Sequence, residues 1–124
     1  MLSTGVDIIE IDRVRQVVER YGQRFLNRVF TPGEIEYCLG RASNLAARFA
    51  AKEATMKALG TGVRGVGWKD IEVVRQASGA PAIKLHKRGA SRAQRLAVQE
   101  ISISLSHSRE YAVAFVVIRR EDSE

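Results

Sequence analysis

The chain has one cysteine, Cys38, among 124 residues. That excludes an intrachain disulfide and any metal site built on paired cysteines, and it fits a reducing compartment. Long apolar runs are also missing. No stretch reaches the ~18 residues that suggest a membrane span, and residues 1–9 lack the basic start and apolar core of a secretory signal. The expectation is a soluble protein of the cytoplasm. Neither an internal repeat nor a low-complexity tract is visible. Between Val74 and Gln99 there are six basic residues and no acidic one. No zinc-finger spacing, recognition-helix pattern or aromatic platform accompanies that block, so a nucleic-acid reader lacks its reading element.

What is present suits one compact domain over residues 1–124, with 45% hydrophobic residues. A domain of this size buries a modest share of its surface, so a deep site built from one chain is difficult and oligomerisation is expected. Fifteen Arg and five Lys against fourteen acidic residues give a net charge of +6. Such a surface favours anionic partners, and arginine's planar fork matches phosphate and carboxylate. Charge alone does not choose among nucleic acid, an acidic protein and a phosphorylated small molecule.

Residues 2–9 read as a strand, with Asp7 set in an apolar run where a carboxylate needs solvent, a counter-charge or a helix end to cap. From Glu10 to about Tyr21, Ile11, Val14, Val18 and Tyr21 recur at helical spacing. Arg13 and Arg20 then project from nearly one angle, joined by Arg24 if the helix survives Gly22. Thr31-Pro32-Gly33-Glu34 is a helix start with a capping box, and Gly40 stops that helix. A third helix begins near Ser43 or Asn44 and ends at Gly60, with Leu45, Phe49 and Met56 inward.

Residues 60–67 carry four glycines in eight positions and form a mobile or tightly turning loop. The loop follows a helix, which argues against a Walker-type phosphate cradle. Residues 71–75 and 82–86 read as strands, 90–98 as a short helix, and 101–106 with 111–118 as a hairpin whose second strand is central. The class is α+β, an antiparallel sheet with helices on one side. The polar tail, Arg120 to Glu124, should fray.

Three features could carry chemistry. Glu53 and Lys57 share a helix face directed inward, or form an ordinary helix pair. Asp7 is a buried acid or a cap, and His107 is a turn residue or a ligand contact. Cys38 reads as a small apolar residue of the second helix, and Trp68 as packing.

Together, the strings GVDIIEIDR, FTPGEIEYC, RFAAKEATMKALGTG and ISLSHSREYAVA resemble the bacterial holo-acyl-carrier-protein synthases, the small phosphopantetheinyl transferases. The resemblance runs from the first strand to the last. It implies transfer of 4′-phosphopantetheine from coenzyme A to a serine of an acidic acyl-carrier protein, with adenosine 3′,5′-bisphosphate leaving. It further implies Mg²⁺ held by Asp7 and Glu53, catalytic roles for Glu53 and Lys57, and nucleotide or phosphate contacts from Lys57, Gly60 and His107. Glu53, directly or through water, is the first candidate to take the serine proton, which the residues themselves do not assign. Arg13, Arg20 and Arg24 would dock the carrier, and the family forms homotrimers with sites between subunits. One departure is Gly79-Ala80-Pro81, where the family often has Gly-Lys-Pro. The rival classes are a nucleic-acid module resting on the basic block and a non-catalytic adaptor for acidic proteins.

Overall fold

The computed structural model describes residues 1–121. Strand β1 (Leu2–Glu10) leads directly into helix α1 (Ile11–Tyr21). Helices α2 (Gln23–Val29), α3 (Pro32–Cys38) and α4 (Ala42–Ala58) follow. A short 3₁₀ turn at Trp68–Asp70 introduces β2 (Ile71–Arg75), which pairs with β3 (Pro81–Leu85). Helix α5 (Lys87–Arg95) and the hairpin β4 (Val98–His107) and β5 (Tyr111–Arg120) complete the fold.

The class is α+β as read from the sequence, with two antiparallel sheets instead of one. The larger has the order β1-β5-β4 and the smaller is the β2-β3 pair. The apolar run of β5 is explained by its central place: Ala112, Ala114, Val116 and Ile118 are fully buried. Helix α4 lies on the inner face of this sheet because both surfaces are made of small residues. Ala50, Ala51, Ala54 and Ala58 pack on the β5 row, and a Cβ at Gly5 would come within 1.9 Å of the Ala54 carbonyl oxygen. Any side chain at Gly5 would therefore lift the helix off the strand.

The capping box at α3 is present: Thr31 Oγ1 accepts from the Glu34 amide and Glu34 Oε1 accepts from the Thr31 amide. Glu34 does more than cap. Its carboxylate also accepts from Lys52 Nζ at 2.7 Å and from the Val73 amide at 2.9 Å. Lys52 donates in addition to the Trp68 and Ile71 carbonyls. Both charged side chains are wholly buried, and burial pushes the Lys52 ammonium below its ordinary range although Glu34 opposes it. This network ties α3, α4 and β2 together at fixed register, with every ammonium proton given an acceptor.

Several boundaries differ from expectation. Gly22 turns to φ 54 and ends α1, so Arg24 belongs to a separate helix, α2, and the single stripe continuing through Gly22 does not form. The short helix expected at 90–98 occupies Lys87–Arg95, because Lys87 and Arg88 enter it at its polar start, where apolar periodicity gives no signal. Strand β4 then begins at Val98. Helix α4 starts at Ala42 and α3 ends in a left-handed Leu39 followed by Gly40. Arg120 does not fray: it is the last residue of β5 and its amide donates to the Met1 carbonyl. The rest of the expected frayed tail beyond Glu121 lies outside the described residues.

Candidate active site

Asp7 stands on the inner face of β1, two residues beyond the Gly5 contact, and this close approach delivers its carboxylate to the flank of α4. Lys57 Nζ donates to Asp7 Oδ1 at 3.1 Å and to the Val6 carbonyl at 2.9 Å. Asp7 therefore does not cap α1, whose first residue is preceded by Glu10 without a side-chain cap. Lys57 is not directed inward as expected. Its side chain is 55% exposed and reaches along the surface to the 14%-exposed Asp7.

Glu53, one turn earlier, shares a cleft of about 370 Å³ with Asp7, Arg13, Val14, Phe25 and Phe49. Burial pushes the Glu53 carboxyl above its ordinary range, and the negative charge of Asp7 pushes it further, while Lys57 opposes both. Glu53 forms no hydrogen bond or ion pair among the described residues, so its carboxylate is open to a further partner beside the Lys57-bound Asp7. Among the described residues no group of three or more His, Cys, Asp and Glu side chains gathers. The pair is a two-carboxylate site.

The cleft's wall is aromatic. Phe49 stacks on Trp68 with ring centroids 4.9 Å apart, and Phe25 meets Phe49 at 6.4 Å. Trp68 is packing, as read, and stiffens the wall behind Phe49. Arg13 opens onto the same cleft from α1. Arg20 is exposed and lies over the Tyr21 ring. Arg24 lines a neighbouring groove between α1 and α2 with Val17, Tyr21, Phe25 and Arg28.

The end of α4 is a Schellman turn. The Thr61 amide donates to the Met56 carbonyl and the Gly60 amide to the Lys57 carbonyl, with Gly60 at φ 71. The glycine-rich segment after it turns tightly, through bonds from the Gly65 and Val66 amides to the Gly62 carbonyl. Arg92 of α5 donates to the Leu59 carbonyl and Arg88 to the Arg64 carbonyl. Two arginines of the basic block are thus spent on the chain itself, which weakens its case as a nucleic-acid surface.

His107 does not join the two carboxylates within one chain. It ends β4 and lines a second cleft of about 330 Å³ with Asn44, Arg48, Arg75, Pro81 and Ser104. Arg48 is the residue sequence reasoning missed. Its side chain is 2% exposed, yet its Nε has no hydrogen-bond partner. Position 48 lies one residue before Phe49 on a helix of small apolar residues, and that placement is the signal that could have exposed a buried cation. Cys38 is fully buried beneath these arginines, and burial pushes its thiol up.

An α+β domain with a carboxylate pair on one cleft and a cationic cluster on another defines a class suited to anionic, phosphate-bearing substrates. The chain belongs to the 4′-phosphopantetheinyl transferase superfamily, whose sequence profile matches residues 3–116. Within it, the chain is 53% identical over 118 residues to the holo-[acyl-carrier-protein] synthase of Gloeobacter violaceus, covering 92% of this chain and 89% of that one. It is 50% identical over 124 residues to that of Herpetosiphon aurantiacus, covering 94% and 98%. The crystal structure of the Helicobacter pylori holo-[acyl-carrier-protein] synthase in complex with coenzyme A superimposes with a TM-score of 0.86 at 35% identity, covering 94% of this chain and 99% of that one. Among the described residues no helix is long and apolar enough to cross a membrane.

Proposed function

We propose that the protein transfers 4′-phosphopantetheine from coenzyme A to a serine of an acidic apo-acyl-carrier protein, giving holo-carrier and adenosine 3′,5′-bisphosphate. Family membership supports the reaction, and the observation that carries its site is the convergence of Asp7 and Glu53 on one cleft, Glu53 having no ion-pair partner among the described residues. The donor set fits Mg²⁺, a hard ion that takes one or two carboxylates and fills its other positions with phosphate oxygens and water. Bound there, magnesium would neutralise the pyrophosphate and stabilise the charge that develops as the phosphorus–oxygen bond breaks.

Around that ion the chain's own groups have distinct tasks. Glu53, more basic than an ordinary carboxylate, is suited to accept the serine proton as the hydroxyl attacks phosphorus on the pantetheine side. Lys57, on a flexible and solvated stem, can leave Asp7 for a phosphate oxygen and hold charge on the departing nucleotide. Gly60, in the left-handed turn that ends α4 next to the Arg92 guanidinium, would be the backbone contact to phosphate or nucleotide. Phe49 and Phe25 give the carboxylate cleft an apolar wall.

Beyond its pyrophosphate, coenzyme A carries a third phosphate, on the 3′ hydroxyl of its ribose. The cleft of Arg48, Arg75 and His107 fits that group, since it sets the exposed Arg75 and His107 beside the buried Arg48, whose Nε has no acceptor of its own. The two clefts of one chain have no lining residue in common, so we infer that copies associate to bring them together, as a homotrimer with sites between subunits. The outer face of the large sheet supports association: Leu2, Val6, Ile8 and Phe115 are 44–64% exposed. Arg13 opens onto the carboxylate cleft and Arg24 onto the neighbouring groove, and together with Arg20 on the exposed side of α1 they would receive the acidic carrier. Residues 1–124 would then form one transferase domain working in the cytoplasm.

The test mixes the protein with apo-carrier, coenzyme A and magnesium and weighs the carrier by mass spectrometry. One added phosphopantetheine is expected; an unmodified carrier together with salt-sensitive binding to random DNA would favour the nucleic-acid reading instead.

A further inference from the structure

Three guanidinium groups crowd around one phenol ring on α3. The Arg48, Arg75 and Arg41 Cζ atoms lie 4.3, 5.1 and 5.8 Å from the centroid of Tyr37. They come from three places in the fold: α4, the end of β2 and the loop before α4. Among the described residues none of the three forms an ion pair with a carboxylate. Their other bonds go to uncharged oxygens: Arg41 to the Tyr37 and Cys38 carbonyls and to the Asn44 side-chain oxygen, Arg75 to the Gly79 carbonyl, and Arg48 at a long 3.4 Å to the Asn44 carbonyl. Three like charges held this closely repel one another, and the negative face of an aromatic ring is the one group present that all of them share.

Two of the three, Arg48 and Arg75, open onto the cleft with His107. Tyr37 does not line that cleft, so it touches the cations and not what they would bind. We propose that Tyr37 is a positioning residue that selects for the 3′-phosphate of coenzyme A by holding Arg48 and Arg75 in a phosphate-ready arrangement. The inference rests on the reading of this cleft as the site for that phosphate. The work is done by the ring, because the phenol hydroxyl has no hydrogen bond among those formed by the described residues. Without the ring, repulsion would drive the exposed Arg75 into solvent and leave the buried Arg48 to turn towards other acceptors.

The experiment compares coenzyme A with 3′-dephospho-coenzyme A as donors for the wild type, Tyr37→Phe, Tyr37→Leu and Arg48→Ala, with thermal unfolding run on each. The wild type should prefer coenzyme A in kcat/KM. Tyr37→Phe should keep that preference, whereas Tyr37→Leu should lower it about tenfold through the KM for coenzyme A. Its KM for the dephosphorylated donor and its kcat should stay near wild type. An undiminished preference in Tyr37→Leu, an equal loss for both donors, or a Tyr37→Phe variant as impaired as Tyr37→Leu would each overturn the role of Tyr37. In those cases loss of preference in Arg48→Ala would leave the cleft reading standing. A wild type indifferent to the 3′-phosphate would overturn the cleft reading and Tyr37's role together.

Discussion

Lys52 and Glu53 are neighbours on α4 and live in opposite electrostatic worlds. Lys52 is fully buried, and its ammonium is matched by Glu34 and two carbonyls. Glu53 is half-buried beside Asp7, a like charge, with its carboxyl pushed up by burial and by that neighbour. One residue closes a network and the other leaves one open. A similar imbalance of opposite sign recurs a turn earlier at Arg48, whose Nε is buried without an acceptor. Charge that the chain neutralises itself holds the fold; charge it leaves uncompensated marks where a ligand of the other sign belongs.

That contrast can be broken from either side. The largest effect is expected for Glu53→Gln, which should cut transfer by on the order of 10²–10⁴-fold while leaving the unfolding temperature unchanged or raised, because a repulsion is removed. Activity near wild type would remove Glu53 from the chemistry. Next is Lys52→Met, which strands the Glu34 carboxylate in the core and should cost about 3–5 kcal/mol in denaturant unfolding. A variant as stable as the parent would show that the closed network is not what holds α3 to α4.

Reversing both Arg20 and Arg24 to glutamate, neither of which lines the carboxylate cleft, should raise the KM for the carrier about tenfold at low salt and less at high salt, with kcat and magnesium dependence preserved. Equal KM values at both salts would place the carrier elsewhere. The smallest effect is expected at Glu72. Burial alone would raise its carboxyl, but hydrogen bonds from His86 and Thr31, with the charges of His86 and Lys84, hold it below its ordinary value. A depressed carboxylate contributes stability above its unfolded pKa of about 4.3 and loses it as pH falls through the folded value. Glu72→Gln should therefore cost about 1 kcal/mol at pH 7 and progressively less below pH ~4, as measured by unfolding across pH.

The sequence announced the local devices and hid the long-range ones. The Thr31–Glu34 capping box, the β4–β5 hairpin and the central place of β5 follow from spacing and composition within a dozen residues. Gly5 looked like an ordinary strand residue, yet its missing side chain is what brings Asp7 against α4. Lys52 and Arg48 are polar letters in an apolar helix, and their burial depends on partners on α3, β2 and the aromatic ring of Tyr37. Asp7, Glu53 and Lys57 were legible as candidates through the family's motif, and the structure gathers them. His107 was legible in the same way, but its separation from them within one chain is a matter of sheet order, which no local pattern encodes.

The most direct test of the open pair is divalent-ion binding itself, read by the electron paramagnetic resonance of Mn²⁺ standing in for Mg²⁺ with coenzyme A present. One ion bound to the wild type, weakened at least about tenfold by Asp7→Asn and likewise by Glu53→Gln, is the predicted result. Binding left intact in both variants would contradict the claim that these two carboxylates share a metal.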